Sequence, residues 1–151
     1  MQHKKINGYT FLELLVVIIV IMVLAMILLT TITSSLKRGR DTERKSNINQ
    51  YKIALENYAN EHNGLYPASA SPINITSICS TDDNAKALYK YASRCISDKK
   101  AGFTYSYASD TLKWTLLSPL ELGNKYWVVC SNGKAGEVTS SPNINSGNCP
   151  I

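Results

Sequence analysis

The sequence predicts an α+β fold in which one long N-terminal helix, membrane-spanning in its first half and amphipathic in its second, packs on a small antiparallel β-sheet. Three observations carry that prediction. Leu14 to Leu29 is an unbroken run of sixteen apolar residues, extended upstream by Phe11 and Leu12 past the single interruption Glu13. Ile48, Tyr51, Leu55 and Tyr58 then recur at helical spacing, with Ala54 on the same side, and no proline occurs before Tyr66. The last third alternates apolar and polar residues between turn signals, which is the pattern of paired strands.

Taken in order, residues 1–8 form a short basic leader with Lys4 and Lys5 and no acid. Residues 9–33 form the spanning half of the helix, since about 20 apolar residues cross the hydrocarbon core of a bilayer. The cluster Thr30-Thr31-Ile32-Thr33-Ser34-Ser35 is a weak helical stretch, because these side chains compete for backbone hydrogen bonds. Residues 34–64 continue as the amphipathic half, with Asp41 four residues before Lys45 and a stop at Asn63-Gly64 followed by Pro67. Lys37, Arg38, Arg40, Arg44 and Lys45 crowd the start of this half and read as a solvated helix face flanking the membrane.

Residues 65–102 form a connecting region. Its Ser, Pro, Asn and Thr content over 68–83 reads as a surface loop, and a short second helix is expected over Asn84–Arg94, with Ala85, Leu88 and Ala92 on one face. Asn74-Ile75-Thr76 fits a glycosylation acceptor pattern, which is common by chance and carries no weight. Residues 103–151 form the sheet and a C-terminal loop. Strands are expected at Phe103–Tyr107, Leu112–Leu116 and Lys125–Cys130, with a further tight turn at Asn132-Gly133. Tyr105, Trp114 and Trp127 read as core or cross-strand packing in preference to a sugar-binding platform.

Four cysteines, Cys79, Cys95, Cys130 and Cys149, all follow the apolar segment and lack C-x-x-C spacing. An even number outside a metal-binding pattern suits two disulfides in an oxidising compartment. Of the three pairings, Cys79 with Cys95 and Cys130 with Cys149 each close a local loop. Zinc is disfavoured by the spacing and by the distance of His3 and His62 in sequence. The net charge of +5, or +3 without the leader, is too mild to argue for nucleic acid. Neither a G-x-S-x-G, a P-loop nor an H-E-x-x-H motif is present, so no catalytic residues, cofactor or enzymatic activity are expected.

The leader decides the functional reading. In a secretory signal the small-residue cleavage site follows the apolar stretch. Here Gly8 precedes it, so cleavage there keeps the apolar segment in the mature protein. Gly8-Tyr9-Thr10-Phe11-Leu12-Glu13 resembles the class III signal of type IV pilins and type II secretion pseudopilins. The resemblance implies cleavage between Gly8 and Tyr9 by prepilin peptidase, N-methylation of Tyr9, and assembly through Phe11, Leu12 and Glu13. It places the Glu13 carboxylate against the N-terminal amine of a neighbouring subunit; the alternative is a glutamate snorkelling to the headgroups beside the helix start. Tyr9 stands where phenylalanine is usual, and Met22 and Thr30 stand where many members carry Gly and Pro. The segment Tyr58–Pro67 is also similar to the end of the first helix in these proteins, and the Cys130–Cys149 loop resembles their disulfide-bounded region in position. Its Ser, Asn and Gly are expected to form a solvent-facing edge. With Glu137 as its one acid, the loop offers too few hard oxygen ligands for calcium.

The expected protein is therefore a structural subunit of a type IV pilus-like filament. It is a single-pass protein of the inner or cytoplasmic membrane with its ectodomain extracytoplasmic, and later part of a cell-surface or periplasmic filament. The implied partners are other copies through the N-terminal helices, prepilin peptidase, the pilus or secretion assembly platform, and minor pilins, with no specific nucleic acid. The alternative is a membrane-anchored binding module or a ligand-binding minor tip pilin.

Overall fold

The computed structural model describes residues 9–79 and 87–151, with backbone alone for residues 28–31. The expected leader cleavage residue Gly8 lies outside the described residues. The fold is α+β, one long helix and a five-stranded antiparallel sheet. It divides into two compact units, Met1–Leu36 and Lys37–Ile151. Helix α1, Phe11–Glu61, contributes to both. Its backbone stays helical through residues 30–35, so the Thr and Ser run does not interrupt it.

In the second unit, α1 lays its stripe on the sheet. Ile48, Tyr51, Ala54, Leu55 and Ala59 are buried, and each large apolar side chain buried this way stabilises the fold by about 1.5–3 kcal/mol. The helix ends in left-handed backbone at Asn63 (φ 55°) and Gly64 (φ 79°). The Gly64 N–H returns to the Ala59 carbonyl at 2.8 Å, the long bond of a Schellman stop.

The strands β1 (Ser69–Asn74), β2 (Ser106–Ser109), β3 (Trp114–Pro119), β4 (Tyr126–Cys130) and β5 (Ala135–Val138) lie in sequence order. Tyr107 pairs with Leu116 and Leu116 with Val129, placing these three on the face that joins Ile48, Tyr51 and Leu55 in one core. Ala108, Leu117, Val128 and Cys130 form a second core on the opposite face with Ile144, flanked by Cys149 and Ile151.

That second core corrects one expectation. The C-terminal loop is not merely a solvent-facing edge: Ile144 is 1% exposed, and the loop covers the far side of the sheet. The Thr115 hydroxyl donates to the carbonyls of Gly147 and Asn148, both at 3.0 Å, and ties the loop down. Gly147, at φ 69°, rests against the Lys113 carbonyl so closely that a β-carbon would collide with it.

Two strands were not legible. β1 lies in the stretch read as a surface loop, and β5 lies within the C-terminal loop. Both are edge strands, where polar residues and Pro72 are tolerated because one row of backbone groups needs no partner. The expected second helix lies partly outside the described residues. Its described part, from 87, is a run of turns with a single α-type bond, Ala92 N–H to the Leu88 carbonyl at 3.0 Å. A segment this short does not repay helix nucleation, and it is fixed instead by the buried Leu88 and the Cys79–Cys95 disulfide.

Candidate functional site

The start of α1 is a capping box. Thr10 is the residue before the first helical position, and its hydroxyl accepts the Glu13 N–H at 3.3 Å. Glu13 reaches back, accepting the Thr10 N–H at 2.9 Å and the Thr10 hydroxyl at 3.0 Å. Two orphan donors of the helix start are thereby satisfied reciprocally, and a negative charge sits at the positive end of the macrodipole. The T-x-x-E spacing carries this signal in the sequence, and it gives Thr10, which stands in the Gly8–Glu13 motif, the part of the helix cap. Both Thr10 donors fall on Oε2 of Glu13; Oε1 has no hydrogen-bond partner among the described residues.

Around this polar node everything is apolar and uncovered. Tyr9, Phe11 and Leu12 are 88%, 84% and 71% exposed, and Leu14 through Leu24 are exposed on every side of the helix. Tyr9, Glu13, Leu14 and Val17 line a shallow hollow of about 310 Å³. A helix apolar all round is stable in a bilayer or among other apolar helices and not in water. By length and composition, α1 can cross a membrane.

The basic cluster beyond the apolar run proves to be mostly structural. Lys37 and Arg38 are exposed, but Arg44 is 2% exposed and meets three carboxylates: Asp98 at 2.6 Å, Asp41 at 2.8 Å and Glu121 at 3.0 Å. Its guanidinium lies 4.1 Å from the centre of the Phe103 ring. Arg40 grips Glu121 through two bonds of 2.7 and 2.8 Å, and Lys100 adds a third cation at 2.9 Å. Asp41 also accepts the backbone N–H groups of Glu121 and Leu122. Lys45 pairs with Glu137 and lies over the Trp127 ring. The reading of these residues as a solvated face is therefore corrected. Asp41 and Arg44 occupy the same helical stripe as Ile48 and Tyr51, so they point into the head.

The electrostatics follow. Arg40, with Lys100 and Arg44, holds the Glu121 carboxyl well below the ordinary carboxylate range. Burial opposes ionisation of Asp98, but Arg44 outweighs it and its pKa is lowered. Glu137 is held down by Lys45 and Lys125.

Disulfides join Cys79 to Cys95 and Cys130 to Cys149. The first anchors the segment that carries Ile96 and Asp98 beside α1. There the Tyr51 hydroxyl donates to the Ile96 carbonyl at 2.6 Å and accepts the Ile96 N–H at 2.7 Å. Burial pushes the Tyr51 phenol up to about 12. Trp114 and Tyr105 are buried, which removes them from any exposed sugar platform, and Trp127 is half-buried.

Residues 3–29 match the model of the prokaryotic N-terminal methylation motif, the class III signal characteristic of type IV pilins and pseudopilins. No match was found among curated proteins or among solved structures.

Proposed function

From a chain that carries the prokaryotic N-terminal methylation motif, we propose a precursor of a structural subunit, pilin or pseudopilin, of a type IV pilus-like filament. Prepilin peptidase cuts after Gly8, Tyr9 becomes the methylated N-terminus, and the subunit waits in the membrane through α1. Polymerisation moves that helix from lipid into a bundle of identical helices. Glu13 guides docking by meeting the Tyr9 amine of a neighbour. The head, with its sheet and two disulfides, forms the filament surface.

The observation that supports this reading most is the apolar first part of α1, exposed at every described residue from Phe11 to Ile27, in which Glu13, four residues after Tyr9, is the one carboxylate. A carboxylate at the edge of a membrane helix is costly and calls for a partner. A second reading, a plain anchored binding module, draws on the same capping box, because Thr10 already gives Glu13 a partner within its own chain.

Intact mass and N-terminal analysis of the membrane and sheared surface fractions separates the two. A methylated Tyr9 start in the sheared fraction is expected. An uncut Met1 start confined to the membrane would refute the filament subunit.

A further inference from the structure

We propose that the cleft between residues 38–45 of α1 and the β3–β4 connection binds the phosphodiester of an anionic phospholipid at the bilayer surface. The inference goes beyond the filament reading and needs only that α1 spans a membrane.

The cleft has a volume of about 300 Å³ and lies wholly within the second unit. Arg38, Asp41 and Lys45 line one side, sharing a face of α1 by their spacing of three and four residues. Leu120, Leu122 and Lys125 line the other. That side is fixed by the protein itself. Asp41 accepts the N–H groups of Glu121 and Leu122 at 2.8 and 3.0 Å, and the Leu120 N–H donates to the Lys125 carbonyl at 2.7 Å. Lys125 lays its stem beside Gly123, whose left-handed backbone, φ 75°, turns the connection back.

Charge selects an anion. In the neighbouring buried cluster Arg40, Arg44 and Lys100 face Asp41, Asp98 and Glu121, cations and carboxylates in equal number. Asp41 gives its oxygens to Arg44 and to backbone N–H groups, so it neutralises none of the cleft's own cations. Those are Arg38, Lys45 and Lys125. Glu137 serves both lysines, one oxygen to each, at 2.8 and 3.0 Å. Arg38 makes no ion pair among the described residues. Three cations around one carboxylate leave positive charge in excess, and the oxygens of a phosphodiester suit guanidinium and ammonium alike.

Position identifies the source of that anion. No residue from Leu14 to Leu36 is charged, and Lys37 and Arg38 follow at once. As helix this stretch measures about 34 Å at 1.5 Å per residue, against about 30 Å for the hydrocarbon core of a bilayer. Arg38 therefore stands at the level of the headgroups, where a bilayer presents its phosphates. Leu120 and Leu122 give the cleft an apolar side for the glycerol and first methylenes of the lipid.

Native mass spectrometry of the full chain in uncharged detergent, titrated with phosphatidylglycerol, tests the site. One basic residue at an anionic membrane surface is worth about fivefold in affinity, so Arg38→Gln and Lys125→Gln should each cost about fivefold and together about 25-fold. Both leave the buried cluster intact, and Glu137 keeps Lys45, so the melting temperature should not move. Lys113→Gln removes the same charge at the other end of β3 and should leave the affinity unchanged. Phosphatidylcholine, whose phosphodiester carries no net charge with its choline, should not distinguish wild type from the double variant. Equal affinity of wild type and the double variant for phosphatidylglycerol overturns the site. An equal loss in Lys113→Gln does so too, since it reports diffuse surface charge. Displacement of the lipid by millimolar inorganic phosphate would reassign the cleft to a free anion, and a wild-type dimer lost in Lys125→Gln would reassign it to a second copy; either result overturns the lipid.

Discussion

Arg44→Met removes one cation from a site where Asp41, Asp98 and Glu121 converge, with side chains 8%, 5% and 2% exposed. Arg40 and Lys100 still reach Glu121, but Asp98 loses its bidentate partner and Asp41 its ion pair. Breaking a buried pair from one side costs about 3–5 kcal/mol, since the desolvated charges left behind lose their compensation. For a head of this size, each kcal/mol lowers the melting temperature by about 4 °C, so a fall of about 12–20 °C is expected. Thermal unfolding of the detergent-solubilised chain, followed by near-UV circular dichroism, reads it. The pH dependence supplies the sharper check. Asp98 and Glu121 have lowered pKa values in the folded protein. Their stabilisation is complete above the unfolded values, near 4, and is lost as pH falls through the lower native ones. Without Arg44 those native values rise, so the gap between wild type and variant is widest at neutral pH and narrows below about pH 4. A loss under about 1 kcal/mol at neutral pH, as for an exposed pair, would refute the burial argument. So would a gap that does not change with pH.

Glu13→Ala should leave membrane insertion intact while abolishing filament incorporation, whereas Glu13→Gln keeps a capping oxygen and so separates the loss of charge from the loss of the cap; fractionation of membrane and sheared material reads both. Tyr51→Phe leaves both backbone groups of Ile96 without their partner, costing about 2–4 kcal/mol and speeding amide exchange at Ile96. In the wild type that phenol titrates near 12, up from 10.0; its contribution is full below pH 10 and lost as pH rises through 12, which absorbance titration follows. Replacing Cys79 and Cys95 by serine opens a loop with sequence separation 16, at a cost of about 3 kcal/mol in denaturant unfolding.

The long helix was legible because its two patterns are extreme: a continuous apolar run and a stripe at helical spacing, closed by Asn63-Gly64. The interior strand β4 begins at Tyr126, one residue from its expected start, since the aromatic and β-branched run Tyr-Trp-Val-Val favours a strand. β3 begins later than expected, at Trp114, because the tight turn at Asp110–Lys113 takes in Leu112 and Lys113, and β2 runs from Ser106 to Ser109, later at both ends than the expected strand. The edge strands were hidden by their own physics: mostly exposed, β1 carries turn-like Ser, Pro and Asn and β5 has only four residues, Ala-Gly-Glu-Val. Arg44 was hidden differently. Its position on the stripe predicts burial, while its residue type predicts exposure, and only partners 54 and 77 positions away in the chain, Asp98 and Glu121, resolve the conflict. Long-range charge pairing leaves no local trace. At the candidate site the reverse holds, because Thr10, Glu13 and the apolar run are all local.

The geometry of Glu13 bears on how a single carboxylate serves two purposes. Its Oε2 takes both bonds from Thr10, while Oε1 remains without a partner among the described residues. Capping within the chain therefore does not use up the acceptor. On the proposed reading, cleavage after Gly8 converts the Tyr9 amide nitrogen into an ammonium group, so each processed subunit carries one new cation and one half-used anion. Burying either alone among apolar helices is strongly unfavourable, and pairing them between neighbours offsets that cost where the ion pair is close and its remaining donors and acceptors are hydrogen-bonded. A filament of processed subunits pairs every such charge except at its two ends. An uncut precursor keeps the Tyr9 nitrogen as a neutral amide and so lacks the ammonium group at that position. On the proposed reading, the capped Glu13 carboxylate is held within its own chain before assembly, and leader removal, by creating its partner cation, would favour the processed subunit in the polymer.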